Sequence, residues 1–126
     1  MNQKVRNYLI EVSRKKSNPI VTYQKLSDDC KLGFNMQENP YDRKKLGEIL
    51  GEISIYEHNF GRPLLSALVL RSGDHYEGDG FYKLAEELGF GNWKKLKNEE
   101  LFEIKQINSC IEFWQDEANY IKYKNG

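Results

Sequence analysis

The run Leu64-Leu65-Ser66-Ala67-Leu68-Val69-Leu70 restricts the fold more than any other stretch of this chain. It is almost unbroken in apolar character and does not alternate, so one face cannot be set aside for water. It predicts a strand opened by Pro63 and buried on both faces. A strand of that kind has to be covered from both sides, and the rest of the sequence supplies helices to do it. At 126 residues the chain is long enough for one real core and too short for two, so a single domain spanning 1–126 is expected.

Helical spacing is clear on either side of the run. Val5, Tyr8, Leu9 and Val12 recur at i, i+3, i+4 and i+7, which predicts an amphipathic helix over about 3–15 with Lys4, Arg6, Arg14 and Lys15 outside. Ser17-Asn18-Pro19 stops it, and Ile20-Val21 is a short β-branched pair. Thr22 can then cap a short helix that buries Tyr23, Leu26 and Cys30 and ends near Gly33. Asn39-Pro40 is a cap followed by a proline in the first turn, and it starts a longer helix with an apolar stripe of Leu46, Ile49, Leu50, Ile53 and Tyr56. Gly61 ends that helix. Gly47 and Gly51 stand one turn apart within it. They signal either close approach by another backbone or a weak helix that is tolerated.

After the apolar run, residues 71–80 are polar and carry three glycines, which reads as an exposed loop. Phe81, Leu84, Ala85 and Leu88 predict a further short helix capped by Asp79, with a strand through Phe81 and Tyr82 as the alternative. Asn98 is expected to cap a last long helix over 98–124. Its seam would be Ile104, Ile107, Ile111, Trp114, Ala118 and Ile121, packed on a core formed by 1–90.

Composition excludes several classes. No apolar run approaches the length of a membrane span, and the first residues lack the apolar stretch of a secretory signal, so a soluble cytoplasmic protein with no membrane partner is expected. Cys30 and Cys110 have no second ligand near them at metal spacing, so they read as reduced, partly buried thiols, and neither a metal nor a cofactor is expected. The net charge is zero but unevenly spread. Residues 1–47 hold ten Lys/Arg against five Asp/Glu, and residues 48–126 hold nine against fourteen. A basic first third suits a polyanion-binding face or complementary self-assembly.

The order helix, short β segment, helix, longer helix, strand, glycine-rich loop is that of a winged helix. The fold class expected is therefore α+β, mostly helical and winged-helix-like, with a short central strand and a long C-terminal helix. In such domains the third helix enters the major groove, while basic and polar side chains hold phosphates. The residues that could do this are Tyr41, Arg43, Lys44 and Lys45 at the start of the third helix, Lys25 in the second, and Arg71 and His75 in the loop. DNA or RNA is the partner this implies, bound without a chemical step.

The segments Val21-Thr22-Tyr23-Gln24-Lys25-Leu26, Leu65-Ser66-Ala67-Leu68-Val69 and Gly80-Phe81-Tyr82 together resemble the C-terminal winged-helix domain of DNA alkyltransferases and alkyltransferase-like proteins over about residues 20–85. That family carries a Pro-Cys-His-Arg-Val motif holding the alkyl-accepting cysteine. Ser66 stands here in the cysteine's place, and the histidine and arginine are absent. The resemblance therefore implies the fold more than an activity, and alkyl transfer is not expected.

Two other readings remain open. Tyr56-Glu57-His58-Asn59 and the stretch from Asp74 through His75 to Asp79 are where His and carboxylates cluster, which would suit a hydrolase or nuclease. No Ser-His-Asp, His-Glu-x-x-His or phosphate-loop spacing accompanies them, so catalysis is not the favoured reading. The share of Tyr and Trp, including Trp93, Trp114, Tyr120 and Tyr123, fits a protein-binding module such as an inhibitor, immunity or adaptor protein, and equally fits packing within the domain itself. The oligomeric state is left open.

Overall fold

The computed structural model describes residues 1–71, 78–99 and 101–126. Local signals account for most helix starts. In α1, Gln3–Ser13, the Asn2 side chain accepts from the Val5 amide at 3.0 Å, and the helix buries Val5, Leu9, Ile10 and Val12. Thr22 ends the two-residue strand β1, Val21–Thr22, and caps α2, Tyr23–Asp29, through the Lys25 amide at 3.2 Å. Asn39 accepts from the amides of Tyr41 and Asp42 at the start of α3, Pro40–Asn59, with Pro40 in the first turn. Gly61, at φ +73°, ends α3 in the left-handed conformation that glycine adopts at least cost.

The apolar run is buried over its whole length, as expected, but little of it is strand. Leu65–Leu68 form a turn of 3-10 helix, and only Val69–Leu70 form β2, paired in parallel with β1 so that Val21 faces Val69. A segment apolar on every side carries no periodicity to separate strand from helix. β1 is also too short to template a longer ladder, because Thr22 is already committed to α2. The run serves as a partition. Leu65, Leu68 and Val69 face a cluster with Val5, Leu9, Leu26, Leu46, Leu50, Ile53 and Trp114. Leu64 and Ala67 face a second cluster with Phe81 and Tyr82. Ile107 packs against both.

The C-terminal third departs further from expectation. In place of one helix over 98–124, the described residues after α4, Asp79–Glu87, form α5, Trp93–Glu99, and α6, Leu101–Gln115, on either side of residue 100, and then, beyond a break at 116, α7, Glu117–Tyr123. Asp116 makes the break by accepting from the Asn119 amide at 3.1 Å. Asn98 lies inside α5, whose start is held by Asn92 accepting from the amides of Lys94 and Lys95. Gly78, and not Asp79, is the N-cap of α4, and Phe81 and Tyr82 are helical. Of the expected seam, Trp114 is buried as expected but Ile104 and Ile121 are 54% and 64% exposed, and the other buried residues of α6 are Glu103 and Cys110.

Arg6 is also placed contrary to expectation, fully buried rather than on the outer face of α1. Its Nε lies 2.5 Å from Glu57 Oε1, and its Nη1 and Nη2 donate to the Lys124 and Tyr123 carbonyls, each at 3.0 Å. Arg62 Nε meets the other Glu57 oxygen, also at 2.5 Å. A second tie joins the same ends of the chain, where Arg14 donates to the Trp114 carbonyl and packs 3.7 Å from the Tyr120 ring centroid. The fold is thus mostly helical, with a two-stranded parallel sheet. Among the described residues no helix is long and apolar enough to cross a membrane.

Candidate nucleic-acid interface

The first two turns of α3 stand clear of the core. Leu46 is the first fully buried residue of the helix, and Tyr41, Arg43, Lys44 and Lys45 before it are exposed. The turn leading into α3 is pinned from several sides. Gln24 donates to the Phe34 carbonyl and accepts from the Met36 amide, both at 2.9 Å. Asp42 accepts from the Asn35 amide at 2.9 Å, and Arg43 Nη1 donates to the Met36 carbonyl at 2.7 Å and the Gln37 carbonyl at 3.3 Å. Arg43 therefore has a structural task as well as a charge. Lys45 lies 4.7 Å from the Tyr41 ring centroid, a cation–π pair on the surface.

Two adjoining hollows flank this region. One, of about 770 Å³, is lined by residues including Tyr23, Gln24, Met36, Arg43, Gly47, Arg71 and Gly80. The other, of about 380 Å³, shares Tyr23, Gly47 and Gly80 with it, and its further lining includes Lys44, Glu48, Gly51, Ser66, Lys83 and Glu87. No backbone approaches Gly47 or Gly51, because a Cβ built on either meets nothing within 4 Å. The two glycines keep a groove open. That explains the spacing seen in the sequence and corrects the close-packing reading of it.

The expected site residues are thus partly brought together. Arg43 and Arg71 share the larger hollow, Lys44 lines its neighbour, and Tyr41 and Lys45 pair beside them. Lys25 lines neither hollow and lies 3.2 Å from Asp29. Asp29 also accepts from the Tyr8 hydroxyl at 2.5 Å, and that bond, followed by Lys25, holds its carboxyl below the usual range. Burial, then Asp29, pushes the Tyr8 phenol up. His75 and the His–carboxylate stretch 74–77 lie outside the described residues. Sequence reading missed Tyr23, Lys83 and the two α3 glycines as groove residues, since they come from three separate elements and join only in the fold.

No family model, no characterised protein and no solved structure matches the chain. The chemistry has to be read from the residues themselves. Ser66, in the place of the alkyl-accepting cysteine, is buried and hydrogen-bonded to Ser54, whose Oγ accepts from the Ser66 amide at 3.1 Å and lies 2.7 Å from its hydroxyl. A neighbouring serine is no base, so this hydroxyl is not activated as a nucleophile. Burial raises the pKa of both Cys30 and Cys110, which keeps the thiols protonated and poorly reactive. Both oxygens of Glu57 are taken by arginines, so it cannot orient its neighbour His58. Among the described residues no three His, Cys, Asp or Glu side chains come together as a metal site. Trp114 is fully buried, and Trp93 is half-buried beside Lys83 and Lys94.

Proposed function

We propose that this chain is a cytoplasmic, winged-helix-like domain that binds nucleic acid without chemical change, with the exposed start of α3 as its reading element. One observation carries the reading. Of the acids on α3 that could neutralise Arg43, Lys44 and Lys45, namely Asp42, Glu48 and Glu52, Asp42 is engaged with the Asn35 amide and Glu52 lies 3.0 Å from the Met1 amino group. Among the described residues no carboxylate lies within ion-pairing distance of any of the three cations. Cations in the first turns of a helix also oppose its dipole, so Lys44 and Lys45, unlike Arg43, have no evident part in stability. Phosphate is the partner that satisfies such a cluster. The pinned turn before α3 presents these groups already ordered, which lowers the entropy cost of binding.

The test is a titration of labelled duplex DNA, single-stranded DNA and RNA at two salt concentrations, with wild type and Lys44→Ala/Lys45→Ala. Arg43 is left intact because it braces the turn. Binding to duplex should weaken steeply with salt, and losing two phosphate contacts should flatten the log–log slope by about two. No binding at low salt, or an unchanged slope in the variant, rejects the reading and favours a protein partner.

A further inference from the structure

We propose that Gln24, in α2, is a positioning residue for the Arg43 guanidinium, setting how tightly nucleic acid is held without touching it. The proposal rests on the nucleic-acid reading above. It starts from the way one side-chain amide is used. Gln24 Nε2 donates to the Phe34 carbonyl and to Asp28 Oδ1, each at 2.9 Å, and Oε1 accepts from the Met36 amide, also at 2.9 Å. Both hydrogens and the oxygen are therefore committed within the domain, and no donor is left for a phosphate. Ser27, on the same side of α2 and fully buried, accepts from the Phe34 amide at 3.1 Å. The two α2 side chains thus hold the backbone of the turn 34–37 at Phe34 and Met36.

Arg43 grips that turn from the other side. Its Nη1 donates to the carbonyls of Met36 and Gln37, while Nε and Nη2 bond to nothing among the described residues. The guanidinium is anchored at one nitrogen, and its Nε–Nη2 edge is left in the planar fork that suits a phosphate bidentately. Where that edge points depends on the Met36 and Gln37 carbonyls. Leu32, Phe34 and Met36 pack against the core, but Asn35 and Gln37 are exposed, so packing by itself does not fix the peptide planes between them. The bonds from Gln24 do. Without them the turn, and Arg43 with it, spends part of its time in other arrangements. If the competent one falls to about a tenth of the population, the apparent Kd rises about tenfold. The phosphates met in the finished complex are the same, so the salt dependence keeps its slope. A direct phosphate contact behaves otherwise, since its loss flattens the slope by about one.

The test is a titration of labelled duplex DNA across a series of salt concentrations with the full chain, Gln24→Ala, Ser27→Ala and Lys44→Ala/Lys45→Ala, at a temperature where circular dichroism shows each to be folded. Gln24→Ala should bind about fivefold or more weakly at every salt concentration, along a line parallel to wild type. Ser27→Ala, at a position no ligand can reach, should shift in the same direction with the same slope. A wild-type Kd in Gln24→Ala, even with a lower Tm, marks the residue as structural only and overturns the proposal. So does a slope flattened by about one, which makes Gln24 a contact. If wild type does not bind at low salt, the nucleic-acid reading fails and this inference with it. Binding that depends on Lys44 and Lys45 but not on Gln24 overturns this inference alone. Should Gln24→Ala not fold, Ser27→Ala decides by the same two criteria.

Discussion

Replacing Glu57 with glutamine keeps the side-chain shape and one acceptor oxygen but removes the only anion between two buried guanidinium groups, each 2.5 Å away. Breaking a buried ion pair by removing one partner costs about 3–5 kcal/mol, because the remaining charge stays desolvated. With an unfolding entropy of about 2.1 cal/mol/K per residue, a chain of this length loses about 4 °C of Tm per kcal/mol, so a fall of about 11–19 °C is expected. That is a large part of a typical total stability of about 5–15 kcal/mol. A thermal melt followed by circular dichroism measures it, with the exposed Glu112→Gln as the control, expected within about 0.5 kcal/mol of wild type. If Glu57→Gln melts within about 4 °C of wild type, water reaches the triad and the reasoning fails. The apolar replacement Arg6→Met/Glu57→Leu/Arg62→Met separates charge from tethering. The core should tolerate it, since such swaps are often neutral. The Tyr123 and Lys124 carbonyls lose their donors, so the amides of α7 should exchange faster with solvent than those of α3.

Gly51→Ala meets open space in a helix interior and should stabilise the chain by about 0.5–1 kcal/mol, read as a rise in Tm; a fall would mean that the groove is filled. Tyr8→Phe removes the largest single influence on Asp29, so the Asp29 carboxyl pKa should rise toward its ordinary value, as followed by NMR titration. The lowered Asp29 pKa favours the folded state above about pH 4, and this contribution disappears as pH falls toward the folded value. In Tyr8→Phe that acid-side loss should shrink.

The elements that could be read from sequence are those whose signals are local. Asn39, Pro40 and Gly61 bracket α3 without help from the rest of the chain, and Thr22 does the same for α2. Arg6 could not be read, because its burial depends on Glu57 in α3 and on two carbonyls at the end of α7. The α6 seam was legible only in part, for a related reason: Ile107 and Trp114 pack inward as expected, whereas Ile104 is exposed. Two stripes at steps of three and four coexist on that helix, and the aliphatic one through Ile104 and Ile111 is the more conspicuous. The stripe that is buried runs through Glu103, Ile107, Cys110 and Trp114, chosen by partners elsewhere: the Tyr82 hydroxyl meets Glu103, and the Leu64 carbonyl lies 3.3 Å from the Cys110 sulfur. The site divides in the same way. Exposed cations at a capped helix start are evident from sequence, whereas a groove assembled from Tyr23, Gly47, Arg71 and Lys83 exists only after folding.

The carbonyls that Arg6 holds lie 117 and 118 residues further along the chain. A ribosome adding about 5–20 residues per second leaves this arginine waiting several seconds or more for them. Through that interval α1 can meet Glu57 as soon as α3 emerges, but the guanidinium still has two unspent donors that water must serve. Closing the longest loops last carries the largest entropy cost and falls late in folding. The Arg6 contacts with α7 therefore cannot form before synthesis has reached Lys124, and until then water serves those two donors.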